Sequence, residues 1–434
     1  MAPSFDYRRC LGRIFRRRRF EQAEKLLSQW VSPPSERFVA SMQLKKIQGV
    51  WNDAVHNVPY YSELVGKKDA PREITSIKQF VSEVPILSKH DLMENRNLRH
   101  RKRKPHRLAM TAGSTGEPFQ FGIWKRESEI CAINQIVGRL ANGMDIDDPI
   151  FFIWGHSHLL GTGFRGKLKN VQRKLKDACM NYQRVDAYKL DQASVKMYLR
   201  TLERFNPRVV IGYSGALDLF ARQSTNIPRR SGIRFVVATS EMLPYGDSKE
   251  TVEGFFKAPL VMEYGGVDFG VVSYEMMNTS EHRVFWWSHF LEVGKENEIV
   301  VTPLYDRYLP LVRFKTGDEI DGPAYFAHGC VKSFGGLLGR KHDALRMSDN
   351  KFVHSVGVLH SIHQLESVKG IQLVVDKGNF AIHLVSNGLT DQEMNAIRRR
   401  LRELHPTLGE ASIRLVKDLG TNIAGKRRWI RTKA

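Results

Sequence analysis

Thr111-Ala-Gly-Ser-Thr-Gly-Glu-Pro118 places two glycines, three hydroxyl side chains and a closing proline within eight positions. Gly113 and Gly116 open backbone conformations that other residues avoid. Closely spaced N–H groups, with the hydroxyls of Thr111, Ser114 and Thr115, can then wrap a phosphate. No Gly-Lys-Ser/Thr follows the glycines, so this is not a Walker A loop. Apolar Leu108-Ala-Met110 precedes the stretch and Phe119-Gln-Phe-Gly-Ile123 follows it, which predicts a turn between two strands. Taken alone, the segment reads as an ordinary hairpin turn or as a phosphate cradle.

Downstream, Pro149-Ile-Phe-Phe-Ile-Trp154, Arg208-Val-Val-Ile-Gly212 and Arg234-Phe-Val-Val-Ala-Thr239 are short, continuously apolar runs. Such runs mark strands buried on both faces of a parallel sheet. With Leu260-Val-Met262 and helical patterns between them, they predict an α/β fold. Sheets of this kind bind ligands beyond the carboxyl ends of their strands. Ser240-Glu241 and Glu263-Tyr-Gly-Gly-Val-Asp-Phe-Gly270 fall at those ends. Two further strands are predicted over 297–303 and 309–318, the second closing on Thr316-Gly-Asp318.

Past Gly339-Arg340 the character changes. A hairpin is predicted over 370–385, turning at Lys377-Gly378. An amphipathic helix over 391–404 follows, with Met394, Ile397, Leu401 and Leu404 on one face. Ser412-Ile-Arg-Leu-Val416 adds a strand. This β-β-α-β unit has the size of a small separate domain. The expected organisation is a basic N-terminal extension over 1–35, a large domain over 36–338 and a small one over 339–434.

The 434 residues are 42% hydrophobic and 10% aromatic, enough for real cores and against disorder. No apolar run reaches the roughly 18–20 residues of a membrane span. No secretory signal is visible, and the four cysteines form no C-x-x-C, so a cytoplasmic protein without zinc or disulfides is expected. The net charge of +21 favours anionic partners. It is clustered at Arg8, Arg9, Arg13 and Arg16 to Arg19, at Arg99 to Lys104, and from Arg165 to Lys176. Each cluster reads first as a solvated face or tail. The first is also a candidate for peripheral contact with an anionic membrane.

The glycine stretch resembles the phosphate-binding loop of the adenylate-forming enzymes, the acyl-CoA synthetases and their relatives. Asn57-Val-Pro-Tyr-Tyr61 and Pro85-Ile-Leu-Ser-Lys89 look like the phenylacetate–CoA ligase-like branch, which includes capsular polysaccharide biosynthesis ligases. Leu309-Pro-Leu-Val-Arg-Phe-Lys-Thr-Gly-Asp318 is similar to the family's Pro-Leu-x-Arg-Tyr-x-Thr-Gly-Asp motif. The resemblance implies that Asp318 accepts hydrogen bonds from the ribose hydroxyls, which a carboxylate does strongly. Glu263-Tyr-Gly-Gly-Val-Asp268 resembles Tyr-Gly-x-Thr-Glu, implying adenine against Tyr264 and Gly265 and a Mg²⁺ ligand at Asp268. It departs from the motif at Val267 and, by one methylene, at Asp268. Glu241 matches the acidic position before the adenine pocket, and is otherwise a carboxylate at a helix N-terminus. Gly339-Arg340 looks like the hinge of the family's C-terminal lid, with Arg340 reaching the nucleotide. Gly425-Lys426 looks like the site of its adenylation lysine.

The resemblance implies a large adenylate-forming domain of mixed sheets and helices, an α+β lid, and ATP and Mg²⁺ as cofactors. A carboxylic acid would be activated as acyl-adenylate, with Lys426 stabilising developing negative charge. The acceptor is left open between CoA and an amine. A different class stays open too: a non-catalytic basic protein binding nucleic acid or anionic membrane. No nucleic-acid-binding motif supports it, and no specific nucleic-acid partner is expected.

Overall fold

The computed structural model describes residues 7–98, 104–110, 120–155, 163–187, 189–190, 192–224, 232–243, 247–277, 279–294 and 297–340. In the C-terminal part it describes 344–347, 349, 352–354, 358, 362, 367–376, 379–386, 388–417 and 430–433.

A nine-stranded mixed sheet forms the centre. Its order is Ala324–Tyr325, Val331–Phe334, His282–Val284, Gly270–Glu275, Leu260–Gly266, Phe235–Thr239, Val209–Tyr213, Ile150–Ile153 and Tyr182–Val185. The five strands from Leu260–Gly266 to Tyr182–Val185 run parallel, and the rest continue antiparallel. Successive side chains divide between two cores. Ile150, Phe152, Val209, Ile211, Phe235 and Val237 enter one. Phe151, Ile153, Val210, Val236 and Ala238 enter the other. That two-sided burial is why the strands are apolar at every position.

The helix Lys125–Ala141 covers the first face. Helices Gln192–Phe205, Ser214–Gln223 and Ser248–Phe256 cover the second. The helix Glu36–Asn57, capped by Ser35 and burying Val39, Gln43, Ile47, Val50, Trp51 and Ala54 at helical spacing, adds to the first core. A four-stranded antiparallel sheet lies alongside, in the order His289–Val293, Glu298–Pro303, Phe314–Asp321, Gly336–Arg340. The strand expected over 309–318 thus begins at Phe314, and Pro310 lies outside it.

The basic N-terminal segment is not a solvated tail. Residues Tyr7–Val31 form one helix whose Phe20, Ala23 and Trp30 are buried. Trp30 Nε1 donates to the Val284 carbonyl at 3.1 Å. Arg16, only 2% exposed, donates to the carbonyls of Ile146, Asp148 and Met180.

The C-terminal part has its own core, including Leu345, Met347, Ile371, Leu373, Ile382, Leu384, Ile397 and Leu401. The expected hairpin and helix are present as Val368–Asp376, Asn379–Ser386 and Asp391–Leu404. Thr390 and Glu393 cap the helix reciprocally. Ser412–Leu415 pairs parallel with Asn379–Ser386. A fourth strand not foreseen in the sequence, Ile430–Lys433, pairs parallel with Val368–Asp376.

Candidate nucleotide-binding site

The centre of the site is a contact between two separated motifs. Tyr264 Oη donates to Asp318 Oδ2 at 2.9 Å and lies 3.4 Å from Thr316 Oγ1. Thr316 Oγ1 also accepts from the Asp318 N–H at 3.1 Å. Gly317 between them has φ +86°, a conformation that suits glycine alone. The Thr-Gly-Asp turn therefore presents a half-buried carboxylate with one oxygen anchored. Tyr264 is 7% exposed, its ring against Phe269 and Phe334. In this conformation the face expected for adenine is largely covered, and the hydroxyl is engaged with Asp318. Asp318 and Arg340 are direct cross-strand partners, so the Gly339-Arg340 sequence expected to be a hinge lies across the ladder from Asp318.

The turn after Tyr264 is tightly built. The ladder shifts register between Tyr264 and Gly265. A Cβ on Gly265 would lie 2.4 Å from the Gly270 carbonyl oxygen, and one on Gly266 2.5 Å from Asp268 Oδ1. Asp268 is half-buried with its carboxylate folded back over Gly266, while Arg307 Nη2 donates to its backbone carbonyl. His289 Nε2 meets the next carbonyl, Phe269, at 3.0 Å. Burial pushes this imidazole down to about 3, so the neutral ring carries its proton on Nε2 and donates it there.

Arg307 ties this turn to the glycine hairpin. Its Nη2 lies 3.0 Å from Glu127 Oε2, both side chains being almost fully buried. Glu127 Oε1 accepts from the N–H groups of Trp124 at 2.8 Å and Tyr308 at 2.9 Å. Trp124 closes the strand pair Arg107–Met110 and Gln120–Ile123, which is antiparallel with Met110 opposite Gln120. Gly122 packs under Tyr308, where a Cβ would lie 2.5 Å from the ring. The frame of the expected hairpin is therefore fixed next to the Asp268 turn. Thr111, Gly113, Ser114, Thr115 and Gly116 themselves lie outside the described residues, as does Lys426. Of Arg340 only the backbone is described.

Glu241 follows the strand Phe235–Thr239 at the sheet's carboxyl end. Its Oε1 accepts from the Gly215 N–H at 2.9 Å, and its carbonyl accepts from Ser214 Oγ at 2.6 Å. It caps the helix Ser214–Gln223, the role open to any carboxylate at a helix N-terminus. Sequence reading did not single out Glu127, Arg307 or Thr316. The signal for Glu127 was its place three residues after Trp124 at a helix start. Arg307 carried none.

Among the described residues no group of three or more His, Cys, Asp or Glu could hold a metal ion, and no helix is long and apolar enough to cross a membrane. No protein-family model matches the chain. Protein CapK of Staphylococcus aureus is 20% identical over 420 residues, 89% of this chain and 88% of that protein. The structure of 2-hydroxyisobutyryl-CoA ligase in the postadenylation state with R3-HIB-AMP superposes with a TM-score of 0.60 at 15% identity. That match covers 93% of this chain and 90% of the other. The same ligase with 2-HIB-AMP and CoA in the thioesterification state gives a TM-score of 0.57 at 15% identity over 92% and 90%. The chain is thus similar to CapK over most of its length and shares the fold of these ligases.

Proposed function

We propose that this protein uses ATP to activate a carboxylic acid as acyl-adenylate and passes the acyl group to CoA. The observation that carries the reading is the hydrogen bond from Tyr264 to Asp318, which joins the two expected nucleotide motifs in one place. Asp318 accepts the ribose hydroxyls through charge-assisted bonds, and Tyr264 and Thr316 hold its orientation. The hairpin over 107–123 brings the glycine stretch to the phosphates. The half-buried carboxylate of Asp268 suits a single protein ligand to Mg²⁺, with phosphate and water oxygens completing the shell. The ion neutralises phosphate charge when bound. Lys426 approaches from the small C-terminal part and stabilises the charge that develops on the α-phosphate and carboxylate.

The test is carboxylate-dependent ATP–pyrophosphate exchange across a panel of aromatic, aliphatic and hydroxy acids, followed by product analysis with CoA or an amine added. Exchange with an acid and a CoA thioester as product are expected. Exchange with an amide as product would replace CoA as acceptor. No exchange with any acid would remove the activity.

A further inference from the structure

The helix Tyr7–Val31 exposes Leu11 (40%), Ile14 (68%) and Phe15 (58%), which fall on one side of its surface. The helix Gly163–Cys179 exposes Leu168 (50%), Val171 (61%) and Leu175 (66%) at a spacing of 3 and 4, again one stripe. The two helices pack together. A Cβ on Gly12 would lie 3.1 Å from Asn181 Cβ, and Arg16 is plugged into the carbonyls just beyond the second helix, its guanidinium 4.6 Å over the Tyr182 ring. Their relation is therefore fixed.

Basic side chains flank both stripes. Arg13, Arg17, Arg18 and Arg19 are exposed on the first helix, and Lys174 and Lys176 on the second, with Arg173 half-exposed. Acids on these helices are partly taken up locally: Glu21 pairs with Arg17 at 2.8 Å, and Asp177 with Arg184 at 2.9 Å. Each stripe thus combines unburied aliphatic surface, which water disfavours, with neighbouring positive charge.

We infer that this pair of helices docks on an anionic lipid surface, the apolar stripes entering the interfacial layer and the arginines and lysines meeting lipid phosphates. Long basic side chains suit that arrangement, because their stems lie along apolar surface while the charge reaches outward. The helix Gly163–Cys179 is strongly amphipathic and basic, and helices of that kind bind in the plane of the interface and need no span. A nucleic acid would use the charges but not the aliphatic stripes, since among the described exposed apolar side chains of these two helices only Phe15 could stack on a base. The inference is independent of the adenylation reading.

The test is co-sedimentation of the full-length protein with phosphatidylcholine vesicles, with and without about 30% phosphatidylserine. Binding at least about ten-fold stronger to the anionic vesicles is expected, and about 0.5 M salt should weaken it. The pairs Ile14→Ser with Phe15→Ser, and Val171→Ser with Leu175→Ser, should each lower it about five-fold or more at an unchanged melting temperature. Two pairs on different helices keep the test decisive if one fails to fold. Equal binding to neutral vesicles, no binding, or binding that ignores both substitutions would overturn the inference. So would apolar substitutions that turn a dimer into a monomer in ultracentrifugation, because the face would then belong to a second copy.

Discussion

Arg307 and Glu127 meet at 3.0 Å with both side chains almost fully withdrawn from solvent. Removing the carboxylate leaves a buried guanidinium without its counter-charge, which typically costs about 3–5 kcal/mol. It also releases the Trp124 and Tyr308 N–H groups. Glu127→Ala is expected to lower the unfolding free energy from urea titration by that amount, and Glu127→Gln, which keeps an acceptor for both N–H groups, by less.

Tyr264→Phe keeps the ring and deletes the hydroxyl that anchors Asp318. The loss of one hydrogen bond should cost about 0.5–1.5 kcal/mol of ATP affinity, roughly two- to twelve-fold in Kd. Asp318→Ala removes the charged acceptor itself and should cost more, about 1.5–3 kcal/mol per lost bond. Calorimetric titration with ATP measures both. If Tyr264→Phe weakened binding more than Asp318→Ala, the ribose role of Asp318 would be wrong.

Lys426→Ala is expected to abolish carboxylate-dependent ATP–pyrophosphate exchange while leaving ATP binding measurable. Its proposed contribution is to charge that develops in the transition state and is small in the ground state. Full exchange in this variant would take Lys426 out of the mechanism.

Gly265→Ala should be poorly tolerated. The added methyl would sit 2.4 Å from the Gly270 carbonyl oxygen, and backbone cannot swing aside as a flexible side chain could. Overpacking of this kind costs about 1–3 kcal/mol. The shift should also move Asp268, so metal-dependent exchange should fall further than thermal stability.

Burial holds both His282 and His289 at about 3. In the unfolded chain each takes up a proton near its ordinary value of about 6.5. Between those values the unfolded state binds more protons, so stability is intact above pH 6.5 and falls as the solution is acidified. The slope is at most about 1.4 kcal/mol per pH unit for each ring. Urea midpoints between pH 6.5 and 5, above the range of most carboxylates, should decline. His289→Gln should flatten the decline; an unchanged slope would exclude this histidine.

The parallel strands were legible because burial on both faces leaves no polar position to confuse them. Tyr182–Val185 was not, since Gln183 and Arg184 break the run at the sheet's edge. Ile430–Lys433 was hidden by its charges, which read as a solvated tail. The first arginine cluster misled in the same way, because nothing local marks Arg16 as the ligand of carbonyls far along the chain. Tyr264 and Asp318 could be named from their motifs, but the bond between them depends on tertiary geometry. Glu127 and Arg307 were illegible for that reason too: a buried pair distant in sequence leaves no periodic trace in either segment.

The parallel pairing of Ile430–Lys433 with Val368–Asp376 bears on handling as well as chemistry. It covers the outer rim of the small sheet, where bare N–H and C=O groups would otherwise template another molecule. A proteolytic nick ahead of Ile430 would strip that cover, and such clipped material should clump as it is concentrated.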